Sequence, residues 1–179
     1  MATRPSAPVL EVRALLDYDR TLFEAYVRRI RRLPDAVTHR DLGIGHGSMI
    51  ATLTHILHVQ ESWLVYIVPR RQREIDTLWQ DPTRTPKDWK AFDAYAARVW
   101  DGIEARLPTL TAEELDRRVK AFWMPGSYTV RDAILQISFE EAHHIGELIG
   151  AMWRLNIEPP AMTWIELRPG SRSSKRRRT

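Results

Sequence analysis

The chain has 179 residues, 44% of them apolar and 28% charged, with a formal net charge of +4 and no cysteine. That length suits one domain with a proper core, and the composition excludes collagen-like, mucin-like and wholly disordered classes. The lack of cysteine excludes disulfides, thiolate zinc sites and a cysteine nucleophile.

The positive charge is unevenly placed. Arg172, Lys175, Arg176, Arg177 and Arg178 fall in the last ten residues; without these five, 22 of the 27 basic residues face 23 acidic ones, a balance of −1. Residues 170–179 therefore read as a disordered basic tail with no apolar anchor, and residues 1–169 as one folded domain. A solubilising role suits the tail, and no nucleic-acid partner is expected beyond non-specific attraction to its charges. No run of about 18 apolar residues exists, and the N-terminus has no apolar signal core. No membrane partner and a cytoplasmic location are expected.

In chain order, Leu10, Val12, Leu15, Leu16, Leu22, Phe23, Tyr26, Val27 and Ile30 recur at helical spacing. Pro34 stops this first helix soon after Arg32. A glycine-rich loop, LGIGHG, leads into a second helix over residues 48–68, before Pro69. A charged, proline-containing connection fills residues 69–85. Thr85-Pro86-Lys87-Asp88 reads as the start of a third helix, with Thr85 as cap and Pro86 at the first helical position, ending near Pro108. Thr111 and Glu114 repeat the capping pattern and open a short helix, which Trp123-Met124-Pro125-Gly126 breaks. Thr129 and Asp132 cap the last long helix, which runs to about Leu155 and stops at Asn156 and Pro159-Pro160. Four long helices and a short one, with no alternating strand, predict an all-α helical bundle.

Five of the six histidines fall in the second helix, the loop before it or the last helix: His46, His55, His58, His143 and His144. In the last helix, Ile134, Ile137, Ile145, Leu148 and Met152 share one face at ~100° per residue. Glu141 falls in the middle of that face, Glu140 and His144 on its flank, and His143 points away. Glu140–His144 is an i, i+4 pair and Glu141–His144 an i, i+3 pair, the spacing of bundle metal sites. A buried glutamate needs a partner, and a metal or a histidine would supply one; Glu147 or Glu141 could also act as a general base. In the second helix, Leu53, Ile56, Leu57, Leu64 and Ile67 define the apolar stripe and His55 lies off it, so a cleft or a local irregularity is needed to bring His55 inside. Histidines beside apolar faces are also commonly ordinary hydrogen-bonded residues.

The segments SMIATLTHILHVQESWL and EEAHHIGEL, and the ending WRLNIEPPAMTWIEL, resemble in order and separation the DinB/YfiT-like family of metalloenzymes. The likeness covers residues 9–168. It places the first metal histidine at His55 with Trp63 eight residues on, and matches His144, Gly146 and Glu147 to the end of the family's His-x-x-x-His-x-Gly-Gln element. Glu140 stands where the first histidine of that element is usual. The resemblance thus implies a metal set of His55, Glu140 and His144, with Glu141 as the alternative third ligand, holding one divalent ion: Zn, Ni, Fe or Mn. It also implies an up-down-down-up four-helix bundle, a homodimer, and a metal-dependent enzyme acting on a small molecule, with a low-molecular-weight thiol as cosubstrate for S-transfer. The alternatives are a metal-dependent hydrolase and a non-catalytic, stress-associated scaffold protein. Seven tryptophans, with Trp89, Trp100 and Trp153 foremost, are the expected dimer contacts.

Overall fold

The helical spacing builds four long helices in the computed structural model, which describes residues 6–167. The basic tail, 170–179, lies outside the described residues. Helix α1 is Ala7–Ile30, with Pro8 in its first turn; α2 is one turn, Asp35–Thr38. Helix α3, Met49–Gln60, opens on Ser48, whose side chain accepts the Ala51 N–H. It continues without a break into a π-helical stretch, Glu61–Ile67. Then come α4 (Ile75–Trp79), α5 (Trp89–Arg106), α6 (Ala112–Asp116), α7 (Val130–Arg154) and α8 (Trp164–Leu167). The fold is all-α apart from two two-residue strands, β1 (Arg118–Val119) and β2 (Tyr128–Thr129), paired antiparallel between α6 and α7.

Helix α7 packs against both α1 and α3, and α5 packs against α3 and the π stretch. Phe23, Tyr26, Leu53, Leu57, Phe92, Ile134, Ile145 and Leu148, at most 2% exposed, fill the space between these helices. Each such side chain contributes about 1.5–3 kcal/mol on burial. Helix α5 rides close on the π stretch at Gly102, where an added Cβ would stand 2.8 Å from Val65 Cγ2. No helix of the described residues is long and apolar enough to cross a membrane.

The capping pattern holds at two of its three expected sites. Thr129 and Asp132 form a full capping box on α7, and Thr111 accepts the Glu114 N–H at 3.1 Å to start α6. At the third, Asp88 takes the cap itself by accepting the Ala91 N–H at 2.8 Å, so α5 starts at Trp89 and not at Pro86. Its carboxylate is a better acceptor at the cap than Thr85, which closes a 3₁₀ turn over Pro82–Arg84. The connection over residues 69–85 also folds further than its charge suggested, because Ile75 and Leu78 bury one face of α4. Of the tryptophans expected at a dimer contact, Trp89 packs edge-on against Phe92 and Trp100 against Phe23, both partly buried in this chain. Trp153 is 64% exposed.

Candidate metal centre

The glycine-rich loop is tied to α7 from both of its ends. Asp41 accepts the Gly43 N–H at 2.8 Å, and Gly47 both receives from Leu42 and donates to Ile44. Gly43 and Gly47 take φ of +65° and +78°, which glycine alone adopts without strain. Arg154 then donates to the Leu42 carbonyl at 3.0 Å, and the Gly45 N–H donates to Glu147 Oε1 at 3.1 Å. Thus pinned, the loop lays the ring of His46 on that of His55, with centroids 3.7 Å apart and planes 19° from parallel.

His144 of α7 completes a group of three imidazoles. Its centroid lies 4.7 Å from His55 and 5.0 Å from His46, and one ligating atom from each of the three lies within 4.8 Å of the other two. His144 is buried, and its Nδ1–H donates to Glu147 Oε2 at 2.8 Å. That bond fixes the ring and leaves Nε2 facing the cluster, 3.5 Å from Glu140 Oε2. Glu140 also accepts from Gln136 Nε2 at 2.8 Å.

The electrostatics favour neutral rings. Burial, then His46, His144 and His58, push His55 down to about 4. Burial and His144 push His46 down against the opposing pull of Glu147 and Glu140. Burial brings His58 to about 4 even though its Nε2–H donates to the Arg84 carbonyl at 2.6 Å. Burial pushes the Glu147 carboxyl up, but the bonds from His144 and Gly45 outweigh it and hold it below the usual carboxylate range.

Two of the three ligands expected from the sequence, His55 and His144, therefore meet. Glu140 reaches His144 but does not belong to the group whose ligating atoms all lie within 4.8 Å of one another. His46 does. Sequence reasoning noted His46 without giving it a role; its signal was its place in a glycine-rich turn directly ahead of the His55 helix. Glu147, at i+3 from His144, is engaged with His144 and Gly45 and so positions a ring; it is not a free general base. Glu141 lies elsewhere. At 1% exposure it accepts from Gln60 Nε2 at 2.7 Å, near Asp19, which accepts from Ser138 Oγ at 2.5 Å. Burial, then Asp19, drive Glu141 well above the usual carboxylate range, so it is a protonated core group and needs no metal as partner.

This donor set fits a divalent ion. Imidazoles with a carboxylate at hand suit Zn, Ni, Fe or Mn, and ligating histidines must be neutral, as these are. A metal-bound histidine characteristically gives its other N–H to a carboxylate, which is what Glu147 accepts from His144. Side-chain rotations suffice to bring atoms within 4.8 Å of one another onto one ion at ~2.0–2.1 Å.

The model of the DinB superfamily matches residues 15–148 of the chain. The protein belongs to the DinB superfamily. The matched stretch contains the His46 loop, all of α3 and α7 as far as Leu148. No curated protein matches the chain. In this DinB-superfamily protein the carboxylate of Glu140 stands at the position of a histidine in the motif described above, and the loop brings a different histidine, His46, to the same cluster.

His55 and Glu140 also line a cleft of about 680 Å³, together with Ser62, Trp63, Arg84 and Trp123. Behind it Arg84 Nε donates to the buried Glu61 at 2.8 Å, and Tyr95 donates to the same carboxylate at 2.7 Å.

Proposed function

We propose that this DinB-superfamily protein is a metal-dependent enzyme. One divalent ion is held by His46, His55 and His144, with Glu140 beside them at the mouth of the cleft. The observation that carries this reading is the convergence of three neutral imidazoles from a loop, α3 and α7, one of them pinned by Glu147. Such an ion lowers the pKa of a thiol or water brought to it and so supplies a nucleophile at neutral pH. The chain's own residues do the rest. Glu147 holds the His144 ring, and Glu140, half-exposed on the cleft side, accepts the proton that the nucleophile gives up. Trp63, Trp79 and Trp123 shield the reacting centre from bulk water.

The nucleophile we assign is an external low-molecular-weight thiol, for S-transfer to a small substrate. The chain has no cysteine of its own to supply the sulfur. Hydrolysis is the second reading, favoured by Glu140, whose carboxylate is equally placed to take a proton from water. Metal analysis of tag-free protein tests the centre: one ion per chain is expected, and none in His144→Ala. Separate loss of metal in His46→Ala and Glu140→Gln identifies the third donor. Thiol-dependent turnover then separates transfer from hydrolysis. A wild type that takes up no metal ends the enzyme reading in favour of a scaffold protein.

A further inference from the structure

We propose that the cleft beside the metal centre binds a small, flat aromatic compound with a metal-ligating head, its ring against the tryptophan wall and its head at His55 and Glu140. The proposal rests on the metal reading above and adds the class of substrate.

The cleft measures about 680 Å³, within the ~300–1,000 Å³ of small-molecule sites. Its two ends differ chemically. At one end stand His55, Glu140 and Gln136, the groups nearest the metal cluster. Around the rest stand Trp63, Trp79, Trp123 and Met124. Trp63 lies eight residues beyond His55, about 12 Å along the helix axis, so a ring on the wall and a head at the metal belong to one two-ring molecule.

The wall is built from distant segments. Trp63 comes from the π stretch, Trp79 ends α4 and Trp123 lies between β1 and β2. Trp63 and Trp123 meet edge to face at 5.6 Å, and Trp79 and Trp123 at 6.0 Å. Trp63 is 4% exposed and forms the floor, while Trp79 and Trp123 remain 52% and 38% exposed. Indole faces left in water at the lip of a cleft gain most from a flat apolar ring laid on them.

The one cation on the wall does not ask for an anionic body. Arg84 is already paired with buried Glu61 at 2.8 Å, so a phosphate or sugar acid would have to compete with a fixed partner. The only unmatched polar demand is at the metal end, which a hydroxyl, carboxylate or hydroxamate head satisfies.

The test uses three hydroxamates that share one head: 2-naphthohydroxamate, octanohydroxamate and acetohydroxamate. Each is titrated calorimetrically into zinc-loaded, full-length protein. The naphthyl compound is expected to bind at least tenfold tighter than the other two. Trp79→Ala and Trp123→Ala should each erase most of that preference, with zinc content and acetohydroxamate affinity unchanged. Trp153→Ala, an exposed tryptophan off the cleft, should leave it intact. Equal affinity for the naphthyl and octyl compounds, or a preference that survives both cleft variants, overturns the proposal. A protein that takes up no zinc fails the metal reading by that measurement alone. The ring site is then read on metal-free protein by tryptophan quenching with 2-naphthohydroxamate. Quenching lost in both cleft variants supports the site, and no quenching overturns it.

Discussion

The N–H of Gly45 donates to Glu147 Oε1 across 102 residues of sequence, and an added Cβ on Gly45 would stand only 2.6 Å from that oxygen. The same carboxylate holds His144 through its other oxygen. Gly45 and Glu147 therefore set, together, where the loop histidine and the helix histidine face each other. Gly45→Ala forces the loop off Glu147 and should weaken zinc binding about 10–100-fold, the usual cost of disturbing a partner behind a metal ligand. Glu147→Ala should do the same. Competition against a chromophoric chelator measures both, and wild-type affinity in either variant would show that the loop and α7 are held by other contacts.

The histidine cluster makes the metal-free protein sensitive to acid. His55 and His58 sit near 4 in the fold, against an ordinary value of 6.5. A depressed folded value means that the unfolded chain binds protons first as pH falls. The stabilisation from neutral rings is whole above about 6.5 and is lost between there and about 4. Melting temperatures of metal-free protein should fall through this window, and the fall should be shallower in His55→Gln. Zinc uptake should decline over the same range, since ligands must lose protons to bind.

Glu141 has the opposite sign. Its folded value is raised by burial and by Asp19, and Asp19 itself is pushed up to about 7 by burial. A raised carboxyl contributes stability at pH values below its unfolded value, and that contribution is lost as pH rises through the folded one. Glu141→Gln keeps a hydrogen-bonding amide in the site and removes the titration. It should hold a full complement of metal, unlike a ligand variant, and its stability should decline less than that of the wild type from pH 4.5 towards alkaline pH. Loss of metal in Glu141→Gln would return this residue to the site.

Much of this was legible in the sequence, and the exceptions have local causes. The four long helices followed from apolar spacing, and Thr111 and Thr129 cap as their sequence pattern implies. His55 and His144 were singled out as ligands, and they meet. A helical wheel left His55 off the buried stripe because that stripe was drawn through Leu64 and Ile67, which lie beyond the point where α3 becomes π-helical. A uniform angle per residue does not survive such a change. His46 had no periodicity to reveal it, since its position depends on bonds to Glu147 and Arg154 far along the chain. The burial of Glu141 was foreseen, but Gln60 and Asp19 are its neighbours and not the metal cluster.

The homodimer expected from the sequence is best placed on α7. Leu135, Phe139, Ala142, Gly146, Ile149 and Trp153 follow one another at alternating spacings of four and three residues. Phe139 is 70% and Trp153 64% exposed, and nothing lies within 4 Å of a Cβ built on Gly146. A seam of this spacing suits a second copy of the same helix, with the small residues allowing close approach. Sedimentation should give twice the 20.9 kDa chain mass at micromolar concentration, and Phe139→Glu with Trp153→Glu should return it to monomer without loss of metal. A monomeric wild type would leave the exposed seam without this partner.

The π-helical stretch has a consequence for how this protein can vary. Val68 bonds back to Trp63, and Arg71 to Tyr66, each five residues earlier, so the stretch carries one residue more per turn than an α-helix could hold. Deleting a single residue between Glu61 and Ile67 would let the helix relax to ordinary winding and turn everything after the deletion by ~100°. Glu61 and Trp63 now serve Arg84 and the cleft, while Val65 meets Gly102; no rigid rotation preserves all three. Insertions and deletions here would therefore recast the pocket in one step while leaving His55, upstream on α3, where it is. Natural change in ligand preference along this lineage is expected to concentrate in length differences within these seven residues, with point substitutions secondary.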